Sequence, residues 1–164
     1  MLPIVIVDDS REDALLALRA LQHCKVQNPI TLLNNGRACI DFFSGVHPYT
    51  ERKLPCLLLL DMVMPPMGGL EVLRELQNFP AARTSVIVMA SGLAEWRTIN
   101  EGYRLGANTY LVKPLCVDDM MQMLNTIPAL SISKVAGGYE IGISHGPLDR
   151  PKREAIRRDT PTSP

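Results

Sequence analysis

The sequence predicts an α/β fold: a doubly wound sheet of five parallel strands with helices on both faces. Three observations predict it. Short β-branched or leucine-rich runs alternate five times with amphipathic stretches at helical spacing. The run "CLLLLD" is apolar at consecutive positions, as a strand covered on both faces requires. The first, third, fourth and fifth runs each end in an acid, a hydroxyl or an amine. In such sheets, binding groups gather at the carboxyl ends of the strands.

The elements follow in order. "PIVIV" (Pro3–Val7) is a β-branched run that fits a buried strand. "SREDALLALRALQHC" reads as a helix with Ala14, Leu15, Leu18 and Leu21 on one stripe. Ser10 is its expected cap, with Asp13 in the place of the Glu or Gln of a capping box. "NPITLL" is a weaker second strand, and "GRACIDFFSG" a short helix with Ile40 and Phe43 on one side. "HPYTERKLP" is polar and proline-flanked, hence a loop. "CLLLLD" is the third strand and "GGLEVLRELQNF" the third helix, apolar at Leu70, Leu73 and Leu76. "SVIVMAS", "AEWRTINEGYRLG", "NTYLV" and "VDDMMQMLNTI" complete two further strand–helix repeats. Strand–helix–strand connections of this kind are right-handed.

Composition excludes several classes of function. The chain has 164 residues, of which 46% are hydrophobic and 21% charged, with a net charge of zero. That suits one globular domain with an extension and gives no field for general nucleic-acid binding. No stretch is apolar for long enough to span a membrane, and "MLPIVIVDDS" lacks the basic start of a secretory signal. Cys24, Cys39, Cys56 and Cys116 form no CxxC pair and read as reduced, mostly buried thiols of a cytoplasmic protein. His23, His47 and His145 show no metal-ligand spacing.

The strand ends carry the chemistry. Strand one ends in Asp8 and Asp9, strand three in Asp61, strand four in Ser91 and strand five in Lys113 followed by Pro114. Three clustered carboxylates repel one another and raise each other's pKa. A divalent cation relieves that repulsion, and oxygen-only ligands suit Mg²⁺. Together with an ammonium and a hydroxyl, such a cluster can cradle a phosphoryl group.

These residues resemble the receiver domains of two-component response regulators. The resemblance rests on Asp8-Asp9, "LLLLDMVMPPMGG" around Asp61, "VIVMASG" with Ser91, and "YLVKPL" with Tyr110, Lys113 and Pro114. It covers residues 1–127 and is nearest to stand-alone, chemotaxis-regulator-like receivers of flavodoxin-like (βα)5 fold. The resemblance implies that Asp61 accepts a phosphoryl group from a phosphohistidine on a histidine kinase or phosphotransfer protein. It implies Mg²⁺ on Asp8, Asp9, Asp61 and the backbone carbonyl of Val63. It implies that Ser91 and Lys113 bond the phosphoryl oxygens. Tyr110 then switches with Ser91 and alters the face formed by the fourth helix, fifth strand and fifth helix, where a downstream protein binds. A homodimer is compatible with this reading.

Three features qualify the resemblance. Gly68 stands where the family usually has an acid, and with Gly69 it loosens the turn. Val63 and Leu93, two residues beyond Asp61 and Ser91, are apolar and cannot position an attacking water, so slow hydrolysis of the phosphoryl group is expected. In the fourth helix, Trp96, Ile99 and Tyr103 share one face, and Thr98, Gly102 and Leu105 another that is small enough to pack on the sheet. If the second face is inward, Trp96 is exposed and can anchor a partner.

Residues 128–164 do not match a receiver. "ISKVAGGYEIGIS" suggests a hairpin around Gly137-Gly138, and "DRPKREAIRRDTPTSP" a disordered tail. The segment holds six of the 17 Lys and Arg and four of the 17 Asp and Glu, too small an excess to argue nucleic-acid binding. It is too short for the usual output domain. Two other functions remain from the sequence alone. One is a Mg²⁺-dependent aspartyl phosphohydrolase, disfavoured because Val63 stands where such enzymes carry a second Asp. The other is a receiver-like module that binds partners without being phosphorylated.

Overall fold

The computed structural model describes residues 1–93 and 95–144. The tail and His145 lie outside them. The strands are β1 (Ile4–Val7), β2 (Ile30–Leu33), β3 (Leu57–Asp61), β4 (Val86–Ser91) and β5 (Thr109–Val112). They form one parallel sheet in the order β2-β1-β3-β4-β5. The helices are α1 (Arg11–His23), α2 (Gly36–Ser44), α3 (Gly69–Leu76), α4 (Pro80–Arg83), α5 (Trp96–Arg104) and α6 (Val117–Thr126). The five-stranded doubly wound prediction is therefore met, with α4 as an addition. It is a single turn started by Pro80 at its first position, where proline's missing N–H costs nothing.

Strand alternation divides the core in two. Ile4, Ile6, Leu57, Leu59, Val86 and Val88 face α1 and α6. Val5, Val7, Leu58, Leu60, Ile87 and Met89 face α2, α3 and α5. Leu57 to Leu60 are all at most 2% exposed. Each buried leucine contributes roughly 1.5–3 kcal/mol. β3 is buried along its whole length, and Asp61 is its last residue.

Two glycines are required by close approach. A Cβ on Gly69 would lie 2.8 Å from the Asp61 carbonyl oxygen, so the start of α3 seats against the end of β3 only without one. Gly69 thus tightens this junction and does not loosen it. The second is Gly138, whose Cβ would strike the Lys25 carbonyl oxygen.

Gly138 belongs to a hairpin of β6 (Leu130–Val135) and β7 (Gly138–Ile143), paired antiparallel with Val135 opposite Gly138. The loop residue Gly137 has φ 88°, where glycine is favoured. The hairpin docks on the chain that leaves α1. That helix ends in a Schellman turn: Val26 N–H donates to the Leu21 carbonyl, Lys25 N–H to that of Gln22, and Lys25 has φ 56°. Tyr139 and the Lys25–Gln27 segment exchange backbone bonds of 2.9 Å. Asn28 is the clasp. Buried to 5% exposure, its amide donates to the Leu2 and Ile141 carbonyls at 2.6 and 2.7 Å and accepts from Ile141 N–H at 2.8 Å. Leu130 and Ile141 join the core under α1 and α6.

Replacing the clasp should weaken the whole domain. Asn28→Ala removes three buried hydrogen bonds and is expected to cost on the order of 2–4 kcal/mol. Urea unfolding should then show a lower midpoint at unchanged slope; an unchanged midpoint would mean that the hairpin unfolds independently of the sheet.

Candidate functional site

The strand order reverses between β1 and β3, so the cleft opens above their carboxyl ends. Asp8 follows β1, and its N–H continues the ladder to the Leu33 carbonyl at 3.0 Å. Asp61 ends β3, and the chain beyond it is held by Met62 N–H on the Ala90 carbonyl and Gly69 N–H on the Met62 carbonyl. Asp8 and Asp61 are buried and Asp9 is exposed. Carboxylate oxygens of all three lie within 4.8 Å of one another. The all-oxygen donor set fits a hard divalent cation.

Lys113 enters from the end of β5. Its Nζ lies 2.6 Å from Asp8 Oδ2, 3.1 Å from Asp13 Oδ2 and 3.3 Å from Asp61 Oδ1. Burial works to lower its pKa, but bonds to Asp8 and Asp13 and the charges of Asp61 and Asp8 outweigh it, and the pKa is raised. The ammonium therefore stays charged. Asp61 is shifted upward, chiefly by burial and also by the Asp8 charge, against the Val63 N–H bond and Lys113.

Ser91 is buried at the end of β4, and its Oγ accepts from Leu93 N–H at 3.3 Å. The Tyr110 hydroxyl donates to the Ser91 carbonyl at 3.4 Å, which ties β5 to the same corner. Ser91, Asp9, Asp61 and Lys113 line one cleft of about 470 Å³. Val63 N–H donates to Asp61 Oδ1 at 3.2 Å. The side chains of Val63 and Leu93 stand out on the rim, at 62% and 71% exposure. The structure thus brings Asp8, Asp9, Asp61, Ser91 and Lys113 together.

The α5 face differs from the sequence expectation in part. Gly102 packs tightly on the Met89 side chain, so this side is inward. Trp96 is 57% exposed. Ile99 and Tyr103, however, are half-buried against the core beneath α5. The tryptophan stands out without them. Asp13 is the site residue that sequence reasoning missed, because it was assigned to the capping box. Ser10 Oγ does accept from Asp13 N–H at 3.3 Å, but the return bond is absent. Ser10 N–H instead goes to Asp8 Oδ1 at 2.9 Å, and the Asp13 carboxylate reaches Lys113. Its position one turn inside α1, facing the strand ends, was the available signal.

The response regulator receiver domain profile matches residues 4–125. The chain belongs to this family. It is 30% identical to the response regulator Rcp1 of Synechocystis over 80% of this chain and 90% of that protein. It is 28% identical to the probable methanogenesis regulatory protein FilR2 of Methanothrix harundinacea, over 76% of this chain and 79% of that one. Among solved structures, Mn²⁺-bound Rcp1 superposes with a TM-score of 0.66 at 26% identity, covering 79% of this chain and 93% of Rcp1. The phosphorylated cyanobacterial phytochrome response regulator RcpA gives 0.65 at 26% identity, over 74% and 86%. The chain accordingly carries a response regulator receiver domain. Its acidic cluster fits a divalent cation. Among the described residues no helix is long and apolar enough to cross a membrane.

The upward shift of Asp61 has a measurable consequence. A carboxyl whose folded pKa is raised imposes no penalty below its unfolded pKa and its full penalty above the folded one. Asp61→Asn keeps an oxygen for Val63 N–H and removes the buried charge. Without divalent cations, its melting temperature should exceed that of the native chain by a few degrees at pH 7, the scale on which about 1 kcal/mol appears at this length. The gain should shrink as the pH falls toward the unfolded carboxylate range. Equal melting temperatures at pH 7 would show that Lys113 already cancels the cost.

Proposed function

We propose that Asp61 is the phosphoacceptor of this receiver. The supporting observation is its place at the tip of the buried strand β3, beside Lys113 and within reach of Asp8 and Asp9. An Asp61 carboxylate oxygen attacks the phosphorus of a phosphohistidine on a histidine kinase or phosphotransfer protein. The P–N bond breaks, the imidazole leaves, and an aspartyl phosphate forms. Asp8, Asp9, Asp61 and the Val63 carbonyl would hold Mg²⁺, which neutralises charge on the transferring oxygens. Lys113 supplies a second positive charge, and the Ser91 hydroxyl donates to a phosphoryl oxygen. The chemistry of the chain is confined to gaining and losing its own phosphoryl group.

The signal then leaves through the Ser91–Tyr110 link to the face of α5, β5 and α6. Movement of Ser91 strains or frees the hydroxyl bond from Tyr110, which biases two arrangements of that face. Trp96 and Val112 offer exposed apolar area there, at 57% and 53%, for a downstream protein. Four unpaired cysteines support a cytoplasmic setting.

Acetyl phosphate with Mg²⁺, followed by intact mass and peptide mapping, tests the assignment. One phosphoryl group is expected on the peptide holding Asp61, absent in Asp61→Ala and in chelator. An adduct on another residue, or none, would overturn it. A second expectation concerns lifetime. The side chains of Val63 and Leu93 present no polar atom to a water beside the site, so Val63→Glu should speed hydrolysis on the order of tenfold by orienting one. Phosphate release after removal of the donor measures it, and equal rates would show that the rim side chains do not control water.

A further inference from the structure

Asp13 belongs neither to the cluster of carboxylates that fits a cation nor to the residues assigned above to phosphoryl transfer. The cap of α1 does not need its carboxylate. The Ser10 hydroxyl serves the Asp13 N–H, and Asp8 takes the Ser10 N–H. The side chain is free to reach Lys113, and it does so at 3.1 Å.

Lys113 has three N–H donors and three carboxylates around it. Asp8 and Asp61 are also members of the cation cluster; Asp13 is not. A divalent cation and the ammonium therefore seek the same two carboxylates and repel each other. The lysine side chain is only 13% exposed, so water is a poor alternative partner for it. Asp13, at 38% exposure on the cleft edge, is the partner that a cation leaves in place.

We propose that Asp13 is a positioning residue that holds the Lys113 ammonium at the edge of the site while a divalent cation occupies Asp8, Asp9 and Asp61. The proposal rests on the cation reading of that cluster. With Asp13 present, the cation loosens two of the three lysine contacts and leaves one intact. Without it, Lys113 has only Asp8 and Asp61 and competes harder for them. The same carboxylate keeps the ammonium beside Asp61, where a phosphoryl group would need it.

A carboxylate near a cation also attracts it directly, with no lysine involved. A double-mutant cycle separates the two effects. Isothermal titration of the full chain with MgCl₂ compares the native protein, Asp13→Asn, Lys113→Met and the double variant, with a thermal melt of each to verify folding. Asp13→Asn is expected to weaken Mg²⁺ binding roughly three- to tenfold, the range of coupling between groups in contact. Lys113→Met should tighten it. In the Lys113→Met background, Asp13→Asn should change it less than about twofold, because the two act as a unit. Asp13→Glu should restore most of the affinity. Equal losses in both backgrounds, or no loss in either, would overturn the role of Asp13 and leave the cation site standing. No Mg²⁺ binding by the native chain would overturn the site reading and the proposal together.

Discussion

A parallel sheet covered by helices on both faces leaves its polar side chains only the strand ends. The three central strands, β1, β3 and β4, pass through two apolar layers, so a carboxylate placed mid-strand there would be buried without a partner. On β3 four leucines are shielded on both sides, and one aspartate stands at the strand's end. The helices follow from the same constraint. They must cover both faces, so the crossovers divide between α1 and α6 on one side and α2, α3 and α5 on the other. The reversal of strand order between β1 and β3 then opens a cleft at the very ends that carry the acids.

Gathering acids at one rim creates an electrostatic problem, and a single ammonium meets most of it. Lys113 lies within 3.3 Å of three carboxylates from three different parts of the chain. Their combined pull keeps it protonated against the cost of burial. Asp61 is less well compensated: burial, with a smaller push from the Asp8 charge, raises its pKa despite Lys113 and the Val63 N–H.

At the opposite end of the sheet the chain is closed by backbone groups. Asn28 satisfies two carbonyls and one N–H that come from the segment before β1 and from β7. These groups lie too deep for water, so losing the amide would leave them unpaired. Residues beyond the last sheet helix thereby become part of the main core. The rim and the clasp sit at opposite ends of β1.

Much of this was legible in the residues. Period and composition carried the five strands, their parallel pairing and the positions of Asp8, Asp9, Asp61, Ser91 and Lys113, because burial acts locally on every residue of a strand. The hairpin was also legible, since its turn chemistry is local. Its docking was not. Nothing in "NPITLL" announces that Asn28 would meet Ile141, because that contact joins segments 113 residues apart. The destination of the Asp13 carboxylate was hidden for the same reason. Sequence offered it a nearby partner at the helix cap, and tertiary structure supplied a charged one that bonds more strongly. The half-burial of Ile99 and Tyr103 likewise depends on how α5 lies on the sheet, where Gly102 lets it approach Met89. Local pattern determined which groups reach the rim; long-range packing alone decided which of them touch.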